Sequence, residues 1–144
     1  MDYKFLGRTG DLAVIPYSPL AGGLLTGKYG AGKRPAEGRL VSNKIYATRY
    51  GDPRNAEIAD RFVEFARERG FDPAALAVAW VAGHPAVTAP IIGARNADQL
   101  RSSIASVEIP MTPELRAEIS ALSPEPPPAT DRSEERTPFH FGVR

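Results

Sequence analysis

Cysteine is absent from this chain of 144 residues. That excludes disulfide staples, zinc–thiolate sites and thiol nucleophiles. Histidine is nearly absent too: His84 and His140 lie far apart, and without cysteine beside them they suggest no metal site. Charge of one sign is also missing, since 18 Lys+Arg face 17 Asp+Glu for a formal charge of +1. A balance that close to neutral excludes a polycationic nucleic-acid binder and an acidic tail protein. No apolar run approaches the roughly 20 residues that a membrane-spanning helix needs. Behind Met1-Asp2-Tyr3-Lys4 there is no apolar signal core. The expectation is a soluble, cytoplasmic domain with neither membrane nor nucleic acid as partner. At 42% hydrophobic, the chain has enough apolar residues for one core.

Proline (14) and glycine (13) are plentiful, and their positions divide the chain. Tyr3 to Gly10 reads as a strand running into a turn, and Leu12-Ala13-Val14-Ile15 follows. Residues 3 to 15 therefore suit an N-terminal β-hairpin. Residues 13 to 17 equally suit a buried strand, with Pro16 near its end. Glycines at 22, 23 and 27 mark tight turns. Residues 29 to 51 show no period and read as a long loop. Asp52-Pro53 and Asp72-Pro73 are helix starts, with a capping carboxylate and proline at the first helical position. Ile58, Phe62, Phe65 and Ala66 keep helical spacing in the first of these helices, and Gly70 ends it. The second, through Leu76, Ala77 and Trp80, is almost wholly apolar and should be buried. Val87 to Ile92 reads as a short buried strand. A third helix starts at an Asn96 cap, with Leu100, Ile104 and Val107 on one face, and Thr112-Pro113 opens a fourth carrying Leu115, Ile119 and Leu122. Residues 124–144, rich in proline and charge, read as an extended tail. Strand, helices, strand, helix is an α/β order with two parallel strands.

Both predicted strands run into donor-rich segments: Ser18 to Lys28 after the first, Gly93 to Gln99 after the second. In α/β folds, ligands gather where loops and helix N-termini meet at the carboxyl ends of strands. The helix beginning at Asn96 offers unpaired N–H groups and the positive end of its dipole. Arg95 adds a planar fork suited to phosphate, and Lys28 a point charge. The expectation is that the two stretches meet at one mouth and hold a phosphorylated cofactor. Each piece has a plainer reading. Asn96 with Gln99 has the spacing of a capping box. The glycines serve any turn, and Tyr17 suits a rim. Neither His84 nor His140 has the setting of a triad base. The paired carboxylates, Glu134-Glu135 and Asp52 near Glu57, lie in a tail or on a helix surface.

Ile15-Pro16-Tyr17-Ser18-Pro19-Leu20-Ala21-Gly22-Gly23-Leu24-Leu25-Thr26-Gly27-Lys28-Tyr29 resembles the seventh-strand segment of aldo-keto reductases. Pro90-Ile91-Ile92-Gly93-Ala94-Arg95, followed by Gln99-Leu100, resembles their eighth strand and the helix after it. Met1 to Gly10 resembles the family's N-terminal hairpin. The resemblance implies part of a TIM (β/α)8 barrel: residues 1–11 as hairpin remnant, 12–123 as the C-terminal barrel portion, 124–144 as tail. It also implies NADPH as cofactor, with carbonyl reduction as the family's reaction. Under that implication Tyr17 stacks on the nicotinamide, while Ser18, Pro19, Leu20 and Ala21 line the pyrophosphate. Lys28 and Arg39 close over it, and Gly93, Arg95 and Gln99 hold the adenosine end. Ser102 and Ser103 stand where the related pattern has Glu and Asn.

The family's Asp–Tyr–Lys–His tetrad belongs to strands that would lie between Gly10 and Leu12. A (β/α)8 barrel needs about 250 residues, so the chain resembles a member whose middle has been removed. No catalytic residue is assigned. The expectation is an oxidoreductase fragment that retains the NADP(H)-binding part; the alternative is a non-catalytic interaction or cofactor-binding module. Open barrel edges lead to a further expectation, self-association or pairing with another chain.

Overall fold

The computed structural model describes residues 13–33 and 35–125. After a 3-10 segment, Ala21–Thr26, the described helices follow in order: α1 (Arg39–Ser42), α2 (Lys44–Tyr50), α3 (Pro53–Glu68), α4 (Pro73–Ala82), α5 (Ala97–Ile104) and α6 (Pro113–Ser120). A second 3-10 turn, Ala105–Glu108, continues α5.

The helix starts follow from side-chain chemistry. Asp52 accepts the Arg54 N–H at 2.9 Å, Asp72 that of Ala75 at 2.9 Å, and Thr112 that of Leu115 at 3.2 Å. Proline takes the next position each time, where its missing N–H costs nothing. The buried face of α3 is Ala59, Phe62, Val63 and Ala66, with Ile58 and Phe65 half-buried beside it. All residues from Ala75 to Ala79 in α4 are buried, as an all-round apolar helix requires. Phe62, Val63 and Ala66 pack with Leu76, Ala77 and Ile119 of α4 and α6 as the main core. Trp80 lies half-buried at its edge, Nε1 donating to Ser120 Oγ at 3.3 Å. A second cluster, Leu24, Tyr29 and Ala59, joins the glycine turn to α3.

Four expectations are corrected. No regular strand occurs among the described residues. The two extended segments meet at one parallel bridge, Tyr17 to Ile91. Thr88 N donates to Val14 O at 2.9 Å and Ile91 N to Pro16 O at 2.8 Å. A parallel ladder advances two residues on each side between such bonds. Here the donor two residues past Thr88 would be Pro90, which has no N–H, so the bond passes to Ile91 and the register slips by one. The expected buried strand is also only partly buried, with Val87 at 8% exposure and Ile91 at 54%.

Residues 29 to 51 are not a structureless loop, because α1 and α2 form within them. Neither helix buries a residue, so no apolar period marks them. Asn43 Oδ1 starts α2 by accepting the N–H groups of Ile45 (3.0 Å) and Tyr46 (3.3 Å). Finally, α5 ends at Ile104, and Leu100, Ile104 and Val107 do not face the core. The helix and its 3-10 extension bury small residues, Ser103 and Ser106, and contact alanine-rich α4. The predicted hairpin falls on residues 3–15 and the tail on 124–144. Residues 1–12 and 126–144 lie outside the described residues.

Leu76 is fully buried within the α3–α4–α6 core. Leu76→Ala is expected to lower the unfolding free energy by about 2–5 kcal/mol, and a loss under about 1 kcal/mol in urea denaturation would contradict this core assignment.

Candidate functional site

Directly after the paired segments, the chain surrounds a cavity of about 670 Å³. Tyr17, Ser18, Pro19, Leu20 and Lys28 line it from the first stretch, and Gly93, Arg95 and Gln99 from the second. Arg39 reaches it from the start of α1. Of the residues singled out in the sequence, Ala21 does not line it; its side chain packs against the Leu24–Tyr29–Ala59 cluster.

The first wall is a tight turn with unusual backbone. Ser18 and Ala21 have φ of 58° and 49°, left-handed values in non-glycine residues. Such conformations cost on the order of 1–3 kcal/mol each and concentrate at binding sites. Ala21 N donates to Ser18 O at 2.9 Å and Gly23 N to Leu20 O at 2.8 Å. Gly22 and Gly23 continue the turn at φ of 68° and 98°. A Cβ on Gly23 would come within 3.1 Å of Lys28 Cε, so glycine also makes room for the lysine stem. The Lys28 ammonium lies 5.0 Å from the Tyr29 ring centroid. Tyr29 is buried, and its hydroxyl accepts the Leu40 N–H at 3.2 Å. That bond fixes the start of α1, which carries Arg39 to the cavity.

The second wall is a helix start. Gln99 N donates to Asn96 Oδ1 at 3.0 Å, and Gln99 Oε1 accepts the Arg95 N–H at 3.0 Å. The capping role and the lining role of Gln99 therefore coincide. No ion pair to the Arg95 guanidinium occurs among the described residues. A Cβ built on Gly93 meets no atom within 4 Å, so the backbone there is open to close approach.

The cavity also contains carboxylates. Asp98 is paired with Arg101 at 2.5 Å. Asp72 Oδ1 already accepts from Ala75 N and, at 2.7 Å, from Ser102 Oγ. Three cations, Lys28, Arg39 and Arg95, face these two carboxylates, of which Asp98 has its own counter-ion in Arg101, so the lining is positive on balance and suits an anion. Four lining residues escaped sequence reading. Tyr46 lies in a segment without periodicity, Asp72 reads only as a helix start, and neither Ala74 nor Asp98 belongs to a motif. Among the described residues, no group of three or more His, Cys, Asp or Glu is placed to hold a metal, and no helix is long and apolar enough to cross a membrane.

A sequence model of the aldo/keto reductase family matches residues 3–124. The chain is 36% identical over 111 residues to "Protein tas" of Escherichia coli (strain K12), covering 76% of this chain and 31% of that protein. It is 34% identical over 138 residues to "Uncharacterized oxidoreductase YrpG" of Bacillus subtilis (strain 168), covering 86% of this chain and 39% of that protein. A protein of Babesia bovis named "Aldo-keto reductase" is 36% identical over 95 residues, covering 65% of this chain and 33% of its own. The chain thus spans between 31% and 39% of the length of these curated relatives.

Behind the cavity, Asp60 of α3 ties down the segment that delivers Arg39. Asp60 Oδ2 accepts the Ala31 N–H at 2.7 Å, and Oδ1 pairs with Lys33 at 3.1 Å. The Ala31 hydrogen bond, helped by Lys33, holds the Asp60 carboxyl below its ordinary value of 3.8. A depressed pKa gives stability that is fully present above the ordinary value and fades as pH falls through the lower folded value. Asp60→Asn is expected to cost about 1 kcal/mol at neutral pH. The difference from the unaltered protein should shrink as pH drops below 3.8. Urea titrations across that range check this, and a pH-independent difference would contradict it.

Proposed function

The chain belongs to the aldo/keto reductase family, and on that premise we propose that its cavity binds NADPH and that the chain is the cofactor-holding portion of a carbonyl reductase. The observation that carries this reading is the shared cavity. Segments far apart in sequence, 17–28 and 93–99, face one space with Lys28, Arg39 and Arg95 around it. When bound, the dinucleotide supplies a hydride. What the residues of this chain supply is grip and orientation.

Tyr17, 66% exposed at the rim, offers its ring face to the nicotinamide. Ser18, Pro19 and Leu20 follow the pyrophosphate, and Lys28 and Arg39 neutralise it. Gly93 lets the adenosine end approach closely. Gln99 holds the Arg95 backbone so that its guanidinium can pair bidentately with the 2′-phosphate. No residue here is proposed as proton donor, so carbonyl reduction by the chain alone is not expected. The part-barrel reading belongs to the same proposal, with the 14–17 and 88–91 segments, bridged in parallel, standing where two of its strands would run.

A second reading, a module that associates with a second copy of itself, has its own support. Leu100, Ile104 and Val107, spaced along one face of α5 and its 3-10 extension, are 41%, 50% and 82% exposed. Exposed apolar residues gathered in this way mark association surfaces. Sedimentation velocity is expected to show a concentration-dependent shift to larger species. A monomer unchanged across concentration would remove the second reading.

Fluorescence titration with NADPH tests the first. Saturable binding that weakens with salt is expected. Arg95→Ala should raise the Kd about 10-fold to 100-fold, the scale of one charge-assisted contact. NADPH absorbance should stay constant when a carbonyl compound is added to the lone chain. No binding at millimolar NADPH would overturn the proposal.

A further inference from the structure

Tyr46 of α2 is a cavity residue that neither motif contains. Its ring is held from several sides. A Cβ on Gly22 would fall 2.8 Å from Tyr46 Cδ1, so the ring lies directly against the glycine turn. The Arg39 guanidinium stands 5.0 Å from the ring centroid, and its Nη1 donates to the Tyr46 hydroxyl at 3.4 Å. Arg49 lies 6.0 Å from the Tyr46 centroid and 6.0 Å from that of Tyr17, linking α2 to the end of the first paired segment. Tyr50 follows one turn on, with ring centroids 6.1 Å apart. At the start of α2, Asn43 Oδ1 accepts the Tyr46 N–H.

A phenol oxygen has one hydrogen to give and lone pairs to receive. The Tyr46 oxygen accepts from Arg39, which leaves its own hydrogen to donate, and the residue stands in the cavity wall. We infer that Tyr46 is a ligand-contacting residue of this cavity, its hydroxyl donating to a phosphate oxygen of the dinucleotide's pyrophosphate alongside the Arg39 guanidinium. This rests on the NADPH reading. Arg39 and Tyr46 act as one unit: the guanidinium makes the phenol a better donor by bonding to its oxygen, and the phenol sets the direction of the fork. The ring also explains Gly22, because any side chain there would displace it.

Tyr46→Phe removes the hydroxyl and keeps the ring that packs on Gly22 and under Arg39. NADPH binding by fluorescence titration should weaken about 10-fold to 100-fold, the scale of one hydrogen bond to a charged group. Inorganic pyrophosphate, used as a displacing probe, should weaken by a similar factor, and the melting temperature should hold. Tight NADPH binding by the unaltered protein with no change in Tyr46→Phe overturns this inference and leaves the cofactor reading standing. No binding by the unaltered protein overturns both. If Tyr46→Phe also melts earlier, the double variant with Arg39→Lys decides. A combined loss smaller than the sum of the single losses supports a joint unit, and an additive loss overturns it.

Discussion

Two backbone hydrogen bonds join parts of the chain more than 70 residues apart, and the cavity depends on them. Thr88 N to Val14 O and Ile91 N to Pro16 O set the segments side by side and pointing the same way. Pro16 and Pro90 limit what this pair can form, since neither can donate. Thr88 compensates with its side chain, Oγ1 accepting the Val14 N–H at 3.0 Å. The link is short, but whatever follows it on both sides must share one space. Tyr17 and Ile91 end the pairing, and Ser18 and Gly93 open the two walls.

Helices hold that junction from behind. Most of the burial lies in α3, α4 and α6, so the glycine turn and the α5 start rest on a packed support. The remaining wall is fastened by polar bonds rather than burial. Tyr29 holds the start of α1 and Asp60 the turn at Ala31, each through one backbone N–H. Burial pushes the Tyr50 phenol up in pKa against the pull of Arg49 where it packs on the second cluster. The strained backbone at Ser18 and Ala21 lies between the rigid core and this polar-fastened wall, where a ligand would be gripped.

Local chemistry is what the sequence displays clearly. Asp52-Pro53, Asp72-Pro73 and Thr112-Pro113 announce their helices because a cap and the proline beside it act within one turn. The all-apolar run of α4 could only be buried. Properties that arise between distant segments are not displayed. The slipped register needs Pro90 and Val14 considered together. No residue type signals a left-handed Ser18, and α1 and α2 leave no periodic trace because they bury no residue. Leu100, Ile104 and Val107 share one helical face by their spacing. Yet α5 turns serines inward, because α4 offers it a surface of alanines. At the site, Lys28 and Arg95 are legible as cations near turns, whereas Gln99 reads as a capping residue and, like Arg39, gains a ligand role only through family resemblance. Tyr46 needed the folded chain.

The ligand proposed for this cavity is an extended molecule with phosphates at its middle and at one end. Phosphorus NMR of NADPH, titrated with this protein, tests that most directly because it reports each phosphate separately. The account predicts that both the pyrophosphate and the 2′-phosphate resonances shift and broaden together as protein is added. Resonances that stay at their free positions in excess protein would contradict it.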